Sequence, residues 1–354
     1  MSMKKIYSLL IPMVLITLSL TSLKEAKAGN EDRVGQAGAG ELLINPWARS
    51  SGWGGVNTAN SRGLEASFNN IAGLAFTQKT EIIFSQTSYL KGSDVNISTF
   101  GFSQKVGETG VIGLSIMALS VGEIQIRTVN QPDGGIGTFK PSFINIGVSY
   151  AHTFSNSIYG GINFKIISES ISNVSAQGIA IDAGIQYVTG PTDNIKFGIS
   201  LKNVGPTLSF SGDGFAFSGT QNGTVNSHTI EERQAEFELP SLINIGGAYD
   251  FNFNEENRLT IAANFTSNSF SKDQYTLGAE YGFMQYLMVR AGFTYEKGIL
   301  DKLTRTTALT GPCAGVTIQA PINKEKGSTF SIDYSYRASD PWQGCHTISA
   351  RFNL

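Results

Sequence analysis

The side chains able to do chemistry are sparse in this 354-residue sequence. Its three histidines, His152, His228 and His346, lie far apart and lack the short intervals that gather metal ligands. No Gly-x-Ser-x-Gly, His-Glu-x-x-His or phosphate-loop pattern occurs. Gly35-Gln36-Ala37-Gly38-Ala39-Gly40 has the wrong glycine spacing for a dinucleotide loop and no strand–turn–helix context. The sequence therefore names no catalytic residue, no metal ligand and no cofactor, and an enzyme is the least supported class. What remains is a set of single charges, Lys165, Asp182, Lys196, Arg290, Glu296, Asp333 and Arg337. Each sits in a stretch where apolar and polar residues alternate. Such charges either mark a pathway or form a solvated, mutually paired interior, and the second is the expectation.

The elements that carry these charges are strands. Charged residues are 15% of the chain, well below the ~25% of soluble domains, and 40 residues are glycine. A net charge of −2 excludes a strongly basic nucleic-acid binder. Lys4 and Lys5, the uncharged run from Ile6 to Leu23, and Ala26-Lys27-Ala28 make residues 1–28 a secretory signal peptide, cleaved after Ala28. An uncleaved anchor is the weaker alternative because Pro12 interrupts the run. From residue 79 onward the pattern has period two. Ile179, Ile181, Ala183, Ile185 and Tyr187 alternate with Gly178, Ala180, Asp182, Gly184 and Gln186; Leu287, Val289, Ala291, Phe293 and Tyr295 bracket Arg290 in the same way. Fourteen such segments fall between 79 and 354.

Three features turn this alternation into a membrane barrel rather than a soluble sandwich. Most segments reach the ~9–11 residues needed to cross a bilayer. Aromatics cluster near the ends of the apolar faces, at Tyr150, Tyr187, Tyr249, Phe251, Tyr281, Tyr295 and Tyr336. Short turns also interleave with long loops at 122–141, 206–239 and 298–311, as periplasmic turns do with outer loops. The reading is an all-β, fourteen-stranded antiparallel transmembrane barrel over 79–354, set in the lipid of an outer membrane. Fourteen strands leave a lumen that side chains alone do not fill. Residues 29–78, glycine-rich and carrying Trp47, Trp53 and Phe68, are the natural plug, folded into the periplasmic end; a loose tail is the alternative. In this topology Cys313 and Cys345 fall at one rim, within Gly311-Pro312-Cys313 and Gly344-Cys345, and an exported compartment permits the disulfide that is expected between them; two free thiols roughly 10 Å apart are the alternative.

Within 29–78, Ala48-Arg49, Gly52, Gly54-Gly55, Ala59 and Asn70-Ile71-Ala72-Gly73-Leu74-Ala75 resemble the opening segment of the PorV/PorQ family, part of the FadL-like group of fourteen-stranded barrels. Ile71 replaces the proline usual in that family's ending, and Arg62-Gly63 replaces an acidic pair. The resemblance implies that Arg49, Gly52, Gly54, Gly55, Asn70 and Gly73 are plug-motif residues. It also implies a role in type IX secretion, with cargo C-terminal signal domains and translocon or attachment-complex proteins as partners. Independently, the 206–239 loop carries Leu208, Phe210, Phe215 and Phe217 among glycines, followed by Glu231-Glu232-Arg233, which suits a protein-contact surface. A loop folded down over the barrel mouth fits the same residues. Resemblance to the FadL-like group implies transport of hydrophobic small molecules as the other function, which requires an apolar pocket between plug and wall.

Overall fold

The structure, a computed structural model, describes residues 31–220, 227–284, 286–323, 325 and 327–354; the signal peptide lies outside the described residues. Fourteen antiparallel strands close into a barrel. Its first half comprises β1 (Thr80–Tyr89), β2 (Val95–Val106), β3 (Gly110–Ser120), β4 (Ser142–Thr153), β5 (Ile158–Ile171), β6 (Val174–Thr189) and β7 (Ile195–Val204). The second half comprises β8 (Leu242–Asn252), β9 (Asn257–Asn268), β10 (Gln274–Phe283), β11 (Leu287–Glu296), β12 (Leu309–Asn323), β13 (Ser328–Ser339) and β14 (Cys345–Asn353). Each strand pairs with its sequence neighbours, and β1 pairs with β14 from Glu81↔Asn353 to Ser88↔His346, so no edge is left open. That closure is what lets strands cross lipid, where an unpaired backbone group has no water to bond.

The period-two pattern sorts as expected. On β6, Ile179, Ile185 and Tyr187 face outward while Asp182, Gln186 and Val188 are buried inside. On β7, Phe197 and Ile199 face out while Lys196 and Ser200 face in. Alternation breaks at the top of β7, where Lys202 and Asn203 are both buried, Asn203 adopts a left-handed φ of 59°, and the pairing with β6 shifts register. Residues 121–141, 205–241 and 297–308 form the three long connections on one rim; the remaining connections on that rim are short. The rim with long loops is the outer one.

Residues 31–79 run inside the barrel, and their course corrects the expected placement. They are not confined to the periplasmic end. They begin at the outer rim, where Gly38 N–H donates to the Glu238 carbonyl at 3.0 Å and Arg33 pairs with Glu238 at 2.5 Å. They then descend through a short helix (Ala48–Ser51) and two 3-10 turns (Gly63–Ser67 and Ile71–Phe76) to the start of β1. Trp47 and Leu64 pack on Ile83, and Trp53, Val56 and Ala59 on Ala248 and Ala262. Each fully buried large side chain contributes roughly 1.5–3 kcal/mol.

The disulfide is also a correction. Cys313 on β12 and Cys345 on β14 both lie opposite Arg337 of β13, so a whole strand separates them. Two strand spacings amount to about 10 Å, beyond the ~7 Å Cα separation a disulfide tolerates. Both thiols are free and buried.

Candidate functional site

The inner segment meets the wall where the wall has no side chains. A Cβ on Gly315 of β12 would stand 2.9 Å from the Gly52 Cα, and one on Gly292 of β11 2.5 Å from the Trp53 carbonyl. Gly161 of β5 likewise lies under the Ile71 carbonyl. Glycines on inward-facing strand positions are thus the docking surface for the segment. The high glycine content was legible in the sequence, but its distribution along the inner faces of the wall was not read from it.

The motif residues fix this docking. Asn70 donates from Nδ2 to the Thr58 carbonyl at 2.9 Å and to the Ile185 carbonyl of β6 at 3.0 Å, while its Oδ1 accepts from Ala72 N–H at 3.2 Å. It therefore caps the 3-10 turn and ties it to the wall. A Cβ on Gly73 would collide with the Ser61 carbonyl. Gly54 and Gly55 hold φ of 78° and 75°, a region that favours glycine. Arg49 pairs with Asp333 of β13 at 3.2 Å. Arg49, Gly52, Gly54 and Asn70 thus meet the wall, whereas Gly55 and Gly73 pack against other parts of residues 31–79.

Arg49 belongs to a larger network. Arg351 of β14 pairs with Glu65 of the inner segment and, at 2.9 Å, with Glu81 of β1. Arg290 and Arg258 both meet Glu280 at 2.6 Å. Thr317 bridges the two groups by accepting from Arg290 and donating to Asp333. Four arginines thus face four carboxylates in a mostly buried chain that ties the inner segment to β1, β13 and β14. Elsewhere Lys165 pairs with Asp182 at 2.7 Å and Lys196 with Asp250. Five of the charges singled out in the sequence, Lys165, Asp182, Lys196, Arg290 and Asp333, are therefore paired, as expected. Glu296 accepts hydrogen bonds from Gln274 and Thr306, and Arg337 lies between the two cysteine strands. Glu65, Glu81 and Arg351 carry the largest part of the network and were missed, because nothing in their local sequence separates them from other single charges.

The outer loop divides in two. Leu208 is 4% exposed and packs with Ala39, Leu42 and Leu239, and the Phe210 ring lies 5.6 Å from that of Phe237. For these two residues the arrangement is that of a loop folded down over the barrel mouth, the other of the two readings that the sequence left open. Phe215 is half-buried at the base of a hairpin formed by Ala216–Thr220 and Ser227–Glu231. On that hairpin Phe217 and Ile230 form a cross-strand pair and are 53% and 41% exposed. His152 stacks on Tyr150 and meets Phe154 edge-on, whereas His346 lies with Tyr334 and Tyr336 on the opposite rim, so these two histidines share no site. Among the described residues no three His, Cys, Asp or Glu side chains form a metal cluster.

Between the inner segment and the wall, Leu42, Trp47, Phe68 and Met117 line a cavity of about 50 Å³. The Trp47 Nε1, Thr99 Oγ1 and Asn145 Oδ1 atoms on it have no partner. A space of that size takes a water or two; an apolar cavity that holds benzene is nearer ~150 Å³.

A closed fourteen-stranded barrel, apolar outside, charge-lined inside and threaded by its own N-terminal segment, is an outer-membrane β-barrel of the FadL-like fold. Solved structures with this architecture include the Ralstonia pickettii toluene transporter TbuX, at 14% identity and a TM-score of 0.54 over 87% of this chain and 97% of that one. The Pseudomonas putida toluene transporter TodX follows at 12%, 0.54, 87% and 97%, and the CymD monoaromatic hydrocarbon channel at 13%, 0.52, 88% and 97%. At such identities the likeness is one of fold. A search of curated proteins returns no match. The family model described as "Type IX secretion system protein PorV" matches residues 27–271, and the chain belongs to that family.

Proposed function

We propose that this barrel serves type IX protein secretion as a docking protein, binding cargo C-terminal signal domains or translocon and attachment-complex proteins at its outer loops. Neither catalysis nor solute passage is part of this role. The observation that carries the reading is the contrast between the lumen and the outer loops. The lumen is occupied by residues 31–79, seated on glycines and paired charges, while apolar side chains stand exposed on the outer loops. Val129 on the first long loop, Phe217 and Ile230 on the second, and Leu300 and Leu303 on the third form a broken apolar crown. Exposed apolar residues of this kind mark protein contacts. The described part of the second loop carries Asp213, Glu231, Glu232 and Glu236 against Arg233, which favours a basic partner face.

Transport of hydrophobic small molecules is the competing function. The apolar cavity beside Trp47 and Phe68, about 50 Å³, suits water in size and in its unpartnered polar atoms, and the wider cavity of about 330 Å³ is lined by Arg49, Arg62, Glu81 and Arg351 rather than by an apolar wall; both count against it. Export to the outer membrane through cleavage after Ala28 is part of the same proposal, and Edman sequencing of the mature protein should begin at Gly29. The function is tested by replacing Phe217 and Ile230 with serine. Recovery of type IX partners from cross-linked outer membranes should fall while heat-modifiable mobility stays normal. Unchanged recovery would count against the hairpin.

A further inference from the structure

The cavity of about 330 Å³ opens at the rim opposite the long loops, between the start of β1, the end of β14 and the inner segment. Its size falls within the ~300–1,000 Å³ of ligand pockets. Its charges are unequal. Arg49, Arg62, Lys79 and Arg351 line it, and Glu81 is the one carboxylate side chain among the described lining residues. Both Glu81 oxygens are taken, Oε1 by Arg351 and Oε2 by the Leu64 N–H. Arg49 is answered by Asp333 and Arg351 by Glu65, so two cations are left over. Neither Arg62 nor Lys79 makes an ion pair or a side-chain hydrogen bond with a described residue.

Arg62 is also held in place. Its guanidinium carbon lies 4.5 Å from the centroid of the Phe76 ring, and that ring rests against Tyr159 at 4.2 Å between centroids. The ring covers one face of the guanidinium and leaves the in-plane N–H donors free. Asp250, the carboxylate that acts on Arg62 most, has one oxygen on Lys196 and the other on the Thr260 hydroxyl. Gly63 keeps φ at 69°, and a Cβ there would collide with the Glu81 carboxylate. The backbone can therefore close on Glu81 while the Arg62 side chain stays at the cavity. A fixed arginine with its fork free suits bidentate recognition of an oxyanion.

We propose that this cavity binds the carboxylates of an acidic peptide segment presented from the periplasm, with Arg62 as the bidentate contact and Lys79 as a second charge. A lone phosphate meets the same donors but leaves most of the volume empty. A peptide also finds apolar contact on Phe76 and Leu354, which share the lining. A phospholipid headgroup is the poorer fit, because Glu81 and Arg351 face the lumen and the closed wall stands between them and the bilayer. The barrel thus carries a recognition site on its periplasmic side, apart from the outer loops.

The test uses the full barrel in detergent and a fluorescein-labelled peptide of alternating aspartate and glycine, followed by anisotropy. Arg62→Gln should weaken binding at least about tenfold, the loss of one charge-assisted contact. Lys79→Gln should weaken it about threefold, as suits an exposed charge. Arg62→Lys keeps the charge without the fork and should fall between wild type and Arg62→Gln. Lys140→Gln removes an exposed charge at the outer rim and should bind as the wild type does. Every variant should keep its heat-modifiable mobility. The same peptide with asparagine in place of aspartate should not bind. Inorganic phosphate, or short-chain phosphatidylglycerol below its micelle concentration, should displace the peptide only in large excess. Equal binding by Arg62→Gln, an equal loss in Lys140→Gln, binding of the asparagine peptide, or displacement by phosphate or lipid at concentrations matching the peptide would each overturn the proposal. The assay needs no secretion partner, so failure of the outer-loop reading leaves its outcome unchanged.

Discussion

Replacing Arg351 with glutamine tests how the inner segment is held. In the folded protein Arg351 is buried and meets Glu65, Glu81 at 2.9 Å and, more distantly, Asp333. Its removal leaves two buried carboxylates without their main partner. Breaking a buried pair from one side typically destabilises by ~3–5 kcal/mol. Two contacts soften that here: Arg49 stands 4.0 Å from Glu65, and Leu64 N–H donates to Glu81 at 2.8 Å. The lower end, about 3 kcal/mol, is therefore the expectation. At 1.4 kcal/mol per factor of ten, the detached population of the segment rises about a hundredfold. The β1–β14 backbone ladder does not depend on Arg351's side chain, so the barrel itself should survive. In planar bilayers Arg351→Gln should open often where the wild type is quiet, with heat-modifiable mobility retained and residues 31–78 newly open to protease. Adding Glu65→Gln removes one stranded charge and should recover part of the loss. Quiet bilayers and an unchanged protease pattern in Arg351→Gln would refute the reasoning.

Further outcomes follow from the same geometry. Gly315→Val places side-chain atoms against the Gly52 backbone and should raise conductance without unfolding the barrel. Deleting residues 31–70 should raise it further, and large steady currents from the intact protein would show that the segment does not close the lumen. Cys313 and Cys345 should both resist alkylation in the native barrel and both label after denaturation without reductant; a single unlabelled pair would restore the disulfide. On the third outer loop, hydrogen bonds from Lys302 and Arg305 hold the Asp340 carboxyl below its ordinary range. A depressed carboxyl supports its contacts above about pH 4, and this is lost as pH falls through the folded value. Asp340→Asn should mimic the acid state at neutral pH, seen as faster trypsin cleavage at Lys302 and Arg305; equal rates would deny the clamp.

The barrel was legible because lipid and lumen impose opposite polarity on successive residues. Runs such as Ile179–Tyr187 show that alternation without any knowledge of their neighbours. Fourteen strands were foreseen between 79 and 354, and fourteen close the barrel. Trp47 and Trp53 are buried in residues 31–79, but the start of that segment at the outer rim was not read from the sequence. That course depends on Arg33 and Glu238, which lie 205 residues apart and carry no local signature. The disulfide failed because the nearby glycines were expected to let two loops bend together, whereas both cysteines are held in strands with β13 between them. Leu208 and Phe217 have similar surroundings in sequence. Only the hairpin register and the packing on Leu42 separate the buried one from the exposed one.

The central claim is that the barrel presents a docking surface for type IX secretion at its outer loops. A photoreactive amino acid at Phe217, activated on intact cells and followed by mass spectrometry of the adducts, tests it most directly. The account predicts adducts with a cargo signal domain or with a translocon or attachment-complex protein. A strain lacking the barrel should also show impaired type IX export. No such adduct, together with normal export in the deletion strain, would contradict it.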